Sequence, residues 1–493
     1  MKNKVTLIVV VMLLGIQLTY AQQKYLPTWE SIDKRPIPQW FDDAKFGIFI
    51  HWGPYSVPAW SPKGTYSEWY QYWMQSRSLF GNGNFKGDEV YQHHRKTYGD
   101  HFNYYQFGDM FMADQFDADE WAALFEEAGA KYIVLTSKHH DGFTLWPNQQ
   151  ANDRGYKWNS MEVGPKRDLV GELSTAVNKT SVKMGLYYSL YEWYHPWWQN
   201  DKKRFVDEHF IPQFKDLVQT YEPELIWGDG DWDLKPEDWK TPEVIAWLFN
   251  ESKVKDKVVI NDRWGDGVRF HHGGYYTTEY GAHEEYDKPW EECRGMGFSF
   301  GYNQNEDASD YNSTRALILL LIDVVSRGGN LLLDIGPDAR GNIPPIMQQR
   351  LKDMGAWLKV NGEAIYGTKK WDKNVQWSVG DQKFEKTTHY LGGDYILKQT
   401  VNPEPGKAVK ELFFTSKGND LYAISPKYPK GKLIIKGVKP SKNTKVTLLG
   451  YEGELSYIKE GKKMIVDVPF LTFDELPCQH AWTFKISNVN RLK

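Results

Sequence analysis

Eight short apolar runs, separated in most cases by helical patterns, constrain this chain more than any other feature. They fall at 46–50, 132–136, 184–188, 225–227, 258–260, 275–278, 297–300 and 330–333. Runs that are apolar throughout, rather than alternating, suit strands covered on both faces of a parallel sheet. Helical patterns lie between several of them, at 116–129 (closing on Gly129), 168–177, 205–221, 242–249 and 313–325. The last begins beside Asn312-Ser313-Thr314, a helix-start signal. Strand alternating with helix in this way predicts an α/β fold, a (β/α)8-like (TIM-type) catalytic barrel. The link before 275 is too short for a regular helix, so an irregular barrel is expected.

From about residue 371 the pattern changes. Short strand-like runs at 412–414, 421–424, 433–435, 446–449, 464–468 and 482–486 are joined by turns such as Lys417-Gly418-Asn419-Asp420 and Glu460-Gly461-Lys462. This spacing predicts a C-terminal antiparallel β-sandwich. The expected division is a leader at 1–21, a barrel domain at 22–370 and a sandwich at 371–493. The leader reading rests on Lys2 and Lys4, the apolar stretch 5–16, and Tyr20-Ala21 before Gln22. That stretch is too short to span a bilayer, and no other segment is apolar enough. An exported protein, periplasmic or extracellular, is the expectation.

The formal net charge of −4 carries no basic stripe, which argues against nucleic acid as a partner. The 22 Trp, 30 Tyr and 24 Phe suit either a flat-walled sugar pocket or a large aromatic core. Cys293 and Cys478 are the only cysteines. Nothing in their spacing demands a bridge, and two free buried thiols are expected.

Chemistry collects where the runs end. His51-Trp52-Gly53, Lys138-His139-His140-Asp141, Tyr191-Glu192-Trp193, Trp227-Gly228-Asp229, Asn261-Asp262-Arg263-Trp264, Glu279-Tyr280 and Asp334 all follow apolar runs. In a barrel of this kind those ends and the loops after them form the active site. An Asp directly after a buried run, between Gly228 and Gly230, is poorly explained by packing and well explained as a reactive group. Asp231 and Asp233 are its near rivals. Paired carboxylates suit glycoside hydrolysis, one attacking the anomeric carbon and one protonating the leaving oxygen, roughly 5–5.5 Å apart in retaining enzymes. Asp229 and Glu279 can face each other across the mouth.

Other readings stay bland. Adjacent His139 and His140 on a strand point to opposite sides and do not easily chelate one ion, so no metal site and no cofactor is expected. His93-His94 and His271-His272 read as surface loop pairs. Asp334 reads as one half of a rim ion pair. Arg263 is either a pocket residue or an anchor for a rim carboxylate. Trp232, Trp264 and Trp290 line the outer pocket or pack.

Six segments taken together, Ile48-Phe49-Ile50-His51-Trp52-Gly53, Ser67-Glu68-Trp69-Tyr70, Ser137-Lys138-His139-His140-Asp141-Gly142-Phe143, Trp227-Gly228-Asp229, Asn261-Asp262-Arg263-Trp264-Gly265 and Ser299-Phe300-Gly301-Tyr302-Asn303, resemble the family 29 glycoside hydrolases, the α-L-fucosidases. The resemblance spans roughly residues 30–370 and extends to the sandwich in architecture. It implies a retaining exo-α-L-fucosidase that works through a covalent fucosyl-enzyme, without cofactor or metal, on fucosylated oligosaccharides or polysaccharides. The alternative is a related retaining glycosidase acting on α-L-galactose or another fucose-like sugar. By resemblance Asp229 is the nucleophile. His51, Glu68, Trp69, His139, His140, Tyr188, Trp227, Arg263 and Phe300 form the sugar pocket. Glu279 is favoured as acid/base, with Glu291 as the alternative. A homo-oligomer is compatible with all of this.

Overall fold

The computed structural model describes residues 24–490 apart from 77–78, 81–84, 282–285 and 386–393. The expected leader at 1–21 lies outside the described residues. Eight parallel strands follow one another around a barrel: β1 (Phe46–Ile50), β2 (Tyr132–Lys138), β3 (Lys183–Ser189), β4 (Leu225–Asp229), β5 (Val259–Ile260), β6 (Tyr276–Glu279), β7 (Trp290–Gly295) and β8 (Asn330–Ile335). Every strand but β5 pairs with the next in chain order, and β8 returns to β1 with Phe46 opposite Leu331 and Ile50 opposite Ile335. The one gap in the ladder lies between β5 and β6. There the Tyr275 N–H donates to the Ile260 carbonyl at 3.2 Å and the Gly274 N–H to the Asn261 carbonyl at 3.0 Å.

Helices α1 (Ala118–Glu127), α2 (Leu169–Val177), α3 (Ile211–Tyr221), α4 (Thr241–Asn250), α5 (Thr314–Ser326) and α6 (Pro345–Asn361) wrap the outside. Side-chain caps start three of them where the sequence signals them: Asp117 accepts from Asp119 and Glu120 N–H, Asp168 from Gly171 N–H, and Ser313 from Ala316 N–H. No helix links β5 to β6, so the barrel is irregular where the short link implied it.

The barrel interior is aromatic. Phe49, Tyr132, Tyr187, Trp227 and Tyr275 fill it with Val134, Leu225, Val259, Cys293 and Leu332. Phe41 plugs the base, stacked on Tyr275 at 4.1 Å. Gly47 makes room for this filling, because a Cβ there would strike the Tyr132 ring. Much of the chain's aromatic excess is therefore core, while the mouth takes the rest.

The seventh strand corrects the sequence reading, which placed it at 297–300. It is Trp290–Gly295, and 297–300 lies in the loop after it. Glu291 and Glu292 interrupt any apolar run in this stretch, so it carries no strand signal of its own. The fold gives both side chains buried partners. Glu291 points into the barrel, where the Tyr132 hydroxyl and the Trp227 indole N–H donate to it, the latter at 2.9 Å. Glu292, on the outer face, accepts from Arg294 Nε at 2.5 Å and from the Thr278 hydroxyl.

A five-stranded and a three-stranded antiparallel sheet follow. Their strands are β9 (Lys369–Trp377), β10 (Lys410–Lys417), β11 (Asp420–Ser425), β12 (Lys432–Lys436), β13 (Lys439–Leu448), β14 (Tyr457–Glu460), β15 (Lys463–Asp467) and β16 (Trp482–Asn490). The larger sheet runs β9-β10-β11-β16-β13 and the smaller β12-β15-β14. Their inner faces share one core, including Leu412, Phe414, Leu433, Ile435, Met464, Val466 and Phe484, the packing of a sandwich. It is tied to the barrel's helical layer. Arg315 of α5 donates to the His480 and Pro426 carbonyls at 2.7 and 2.9 Å, and Trp357 of α6 to the Ala481 carbonyl at 2.9 Å. Cys293 sits inside the barrel and Cys478 in the sandwich, and both thiols are free. No described helix is long and apolar enough to cross a membrane.

Candidate active site

A cavity of about 620 Å³ opens at the C-terminal ends of the strands. β4 delivers its central anion. Inward-facing positions on this strand alternate, so Trp227 lies in the barrel and Asp229, two residues on, emerges at its top. Gly230 then turns the chain with φ of +69° at a point where a Cβ would collide with the Tyr191 ring. That is the physical need behind the glycine after the carboxylate.

One guanidinium organises the floor. Arg263 donates from Nη1 to Asp229 Oδ1 at 2.9 Å and from Nη2 to Glu279 Oε2 at 3.2 Å. Its Nε donates to the Thr277 hydroxyl at 3.0 Å, and that hydroxyl donates to Asp262 at 2.7 Å. The Arg263 cation also lies 4.3 Å over the Trp227 ring. Burial alone would lower its pKa, but the Asp229 and Glu279 carboxylates outweigh burial and raise it well above the usual arginine value. Both readings of Arg263 therefore hold: it lines the pocket and anchors the rim carboxylates. Asp229 Oδ2 accepts from the Tyr187 hydroxyl at 2.9 Å. Glu279 Oε1 accepts from the Tyr66 hydroxyl at 3.2 Å.

Neutral polar groups surround this trio. His51 pairs through Nδ1 with Asp334 Oδ1 at 2.6 Å. Burial pushes the Asp334 carboxyl well above its ordinary range and, together with His139, pushes His51 well below its own. The pair is thus held at zero net charge, with one proton shared between Oδ1 and Nδ1 and another on Nε2. His51 Nε2 therefore faces the cavity as a donor. His140 is set the other way. The Ser189 hydroxyl donates to the Tyr191 carbonyl at 2.7 Å, so it accepts from His140 Nδ1–H at 2.6 Å and leaves Nε2 as an acceptor. Burial keeps His139 and His140 neutral. Glu68 accepts from the Gly301 N–H at 2.8 Å, and burial raises its pKa to about 8. Phe300 stacks on His51 at 5.1 Å and on Tyr66 at 5.4 Å.

The cavity brings together Asp229, Glu279, His51, Glu68, Trp69, His139, His140, Trp227, Arg263 and Phe300. It does not include Tyr188, which faces the helical layer, where its hydroxyl donates to Gln213 of α3 at 2.8 Å. Tyr187 takes the inward position, paired in register with Trp227. The pairing across β3 and β4, not the composition of the segment, distinguishes these adjacent tyrosines. Nor does the cavity include Glu291, which lies beneath Trp227. Asp231 turns away to the Gly265 N–H at 3.3 Å, whereas Asp233 stands exposed at the outer rim. Asp334 is no arginine or lysine partner but the support of His51. Tyr66, Tyr72, Tyr191 and Trp193 also line the cavity, and no single motif marks them. Trp264 and Trp290 are buried in the core. Of the expected surface histidines, His94 is buried between the Tyr70 hydroxyl and the Phe102 carbonyl.

Glu192, His195 and His209 lie close enough to share an ion. Their existing bonds argue against one. Lys138 Nζ at 3.0 Å and Arg154 already neutralise Glu192, and His209 Nε2 binds the same carboxylate at 2.7 Å. The Trp197 N–H donates to His195 Nδ1 at 3.1 Å, which places the neutral ring's proton on Nε2 and leaves no lone pair there for a metal.

The architecture and the sequence are similar to those of known proteins. The alpha-L-fucosidase family model matches residues 12–363, and the alpha-L-fucosidase C-terminal domain model matches residues 406–487. The tissue alpha-L-fucosidase of Homo sapiens is 42% identical over 479 residues, covering 95% of this chain and 92% of its own. An alpha-L-fucosidase of Dictyostelium discoideum is 39% identical over 500 residues, covering 98% and 99%. The crystal structure of Thermotoga maritima alpha-fucosidase with a mechanism-based inhibitor superposes with a TM-score of 0.74 at 33% identity, over 94% of this chain and 100% of that one.

Proposed function

The chain belongs to the α-L-fucosidase family, and from that premise we propose that it releases terminal α-L-fucose with retention, through a covalent fucosyl-enzyme on Asp229 and with Glu279 as acid/base. The observation that carries this reading is the single Arg263 guanidinium spanning both carboxylates. Two carboxylates held on one fork at the floor of one cavity are placed to act on the same substrate bond, as a nucleophile and its acid/base must. Glu279 also stands nearer solvent, its side chain 28% exposed against 10% for Asp229. That suits a group that must meet first the leaving oxygen and then a water.

In the first step Asp229 Oδ attacks the anomeric carbon, the glycosidic C–O bond breaks, and Glu279 gives its proton to the departing oxygen. In the second, Glu279 takes a proton from water, the water oxygen attacks the anomeric carbon, and Asp229 leaves. The His51 donor and the His140 acceptor offer opposite hydrogen-bond partners to sugar hydroxyls. Phe300 and Trp227 offer apolar surface to the sugar's C–H face and methyl group. The chemistry needs no metal or organic cofactor. Export to the periplasm or extracellular space is part of the proposal, on the strength of the leader-like pattern at 1–21.

Asp229→Gly tests it. Hydrolysis falls away, and added azide restores turnover by forming a fucosyl azide of inverted configuration, seen by NMR. Undiminished hydrolysis without azide would overturn the assignment.

A further inference from the structure

The cavity is larger than one deoxyhexose ring needs, and its outer end has no part in the reading above. Trp232 stands there 40% exposed, and no other described Trp is so open to solvent. A buried indole is the norm in this chain, so an indole at the mouth calls for a reason other than core packing. One side of it is braced. It stacks on Trp69 at 5.9 Å and meets the edges of His140 and Tyr191 at 5.4 and 5.7 Å. The turn at Gly230 brings it back over the opening, and Asp233 follows, exposed and with no ion-pair partner among the described residues.

Building on the reading that fucose occupies the inner end, we propose that Trp232 and Asp233 form the subsite for the leaving sugar. The subsite takes a neutral hexopyranose or N-acetylhexosamine. The C–H face of its ring lies on the free side of the indole, and a hydroxyl or amide N–H donates to the Asp233 carboxylate. The same carboxylate disfavours leaving groups that carry a carboxylate or sulfate, through like-charge repulsion in a partly enclosed site. Trp69, shared by both ends, makes the two subsites continuous.

The test separates leaving-sugar binding from fucose binding. A panel of neutral fucosyl disaccharides differing only in linkage is screened, and kcat/KM on the best of them is divided by kcat/KM on α-L-fucosyl fluoride, whose leaving group touches neither residue. Trp232→Ala lowers this ratio by about fivefold to tenfold, the worth of one aromatic stack. Trp232→Phe restores part of it, and Asp233→Asn narrows discrimination against a sulfated analogue of the same disaccharide. An unchanged ratio in Trp232→Ala, with the fluoride still hydrolysed, overturns the subsite alone. Wild-type protein inactive on the fluoride overturns the parent reading and the subsite with it. Thermal unfolding of each variant identifies any loss of fold, and the ratio cancels a loss of active enzyme common to both donors.

Discussion

Glu291 offers the sharpest test of how the barrel uses its carboxylates. It sits under the floor of the pocket, bonded to Tyr132 and Trp227, and burial raises its pKa to about 7 from an ordinary 4.5. The unfolded chain therefore ionises this group from about pH 4.5 upward, while the folded protein keeps the proton until about pH 7. Between those limits the folded state binds more protons, so its stability falls as pH rises. At about 1.4 kcal/mol per pH unit, wild type loses about 3 kcal/mol across this window on account of Glu291 alone. Glutamine mimics the protonated form, with an oxygen for Trp227 and an N–H to offer Tyr132, and it does not titrate. Glu291→Gln should match wild type near pH 4.5 and be about 3 kcal/mol more stable by pH 7. Urea unfolding at stepped pH measures the difference, and comparison with wild type removes the contributions of Glu68, Asp141 and Glu306, whose carboxyl pKa values burial also raises, to about 8, 6 and 7, and which both proteins share. Activity on an aryl fucoside should fall far less than the roughly 10² to 10⁴ that removing an acid/base costs. A loss of that size, with accumulation of a covalent adduct, would make Glu291 the acid/base. Equal pH dependence of stability in the two proteins would refute the buried-proton argument.

Glu279→Ala should lose roughly 10² to 10⁴ in rate on unactivated fucosides yet still form the covalent adduct from α-L-fucosyl fluoride, observed by mass spectrometry. Equal losses on both donors would remove it from the acid/base role. Asp334→Asn should keep His51 oriented, because an amide N–H can donate to Nδ1 and leave the proton on Nε2. Asp334→Ala strands the buried nitrogen, at a cost of about 1–3 kcal/mol, and should raise KM. If the Asn variant is as impaired as the Ala variant, His51 needs a charged partner and the neutral-pair assignment fails.

The run ending at Asp229 was legible because two local signals agree: an apolar strand, and a glycine that permits the turn. β7 was not, because its stability comes from distant partners. Tyr132 stands 159 residues from Glu291 and Trp227 stands 64 away, and nothing local announces that two adjacent glutamates are satisfied. Tyr187 and Tyr188 show a second limit. They are identical in chemistry and differ only in which face of the sheet they occupy, a matter of register rather than composition. Asp334 shows a third. A rim carboxylate implies a cation by default, yet here the partner is a histidine that burial keeps uncharged.

These particulars bear on why the pocket holds so many ionisable groups and so little charge. Desolvation acts on His51, His139 and His140, on Glu68 and on Asp334, and in each case it favours the neutral form. Arg263 is the exception, because it has two carboxylates within hydrogen-bond reach. On the proposed mechanism the field at the anomeric carbon is then set chiefly by Asp229 and Arg263 while Glu279 passes its proton on, and the histidines contribute donors and acceptors without a net charge of their own. That matters most in the transition state, where positive charge develops on the sugar ring. A protonated histidine within the same low-dielectric cavity would oppose that charge. On the proposed reading, burying the histidines lets them bind hydroxyls as neutral partners without adding a positive charge beside the reacting carbon.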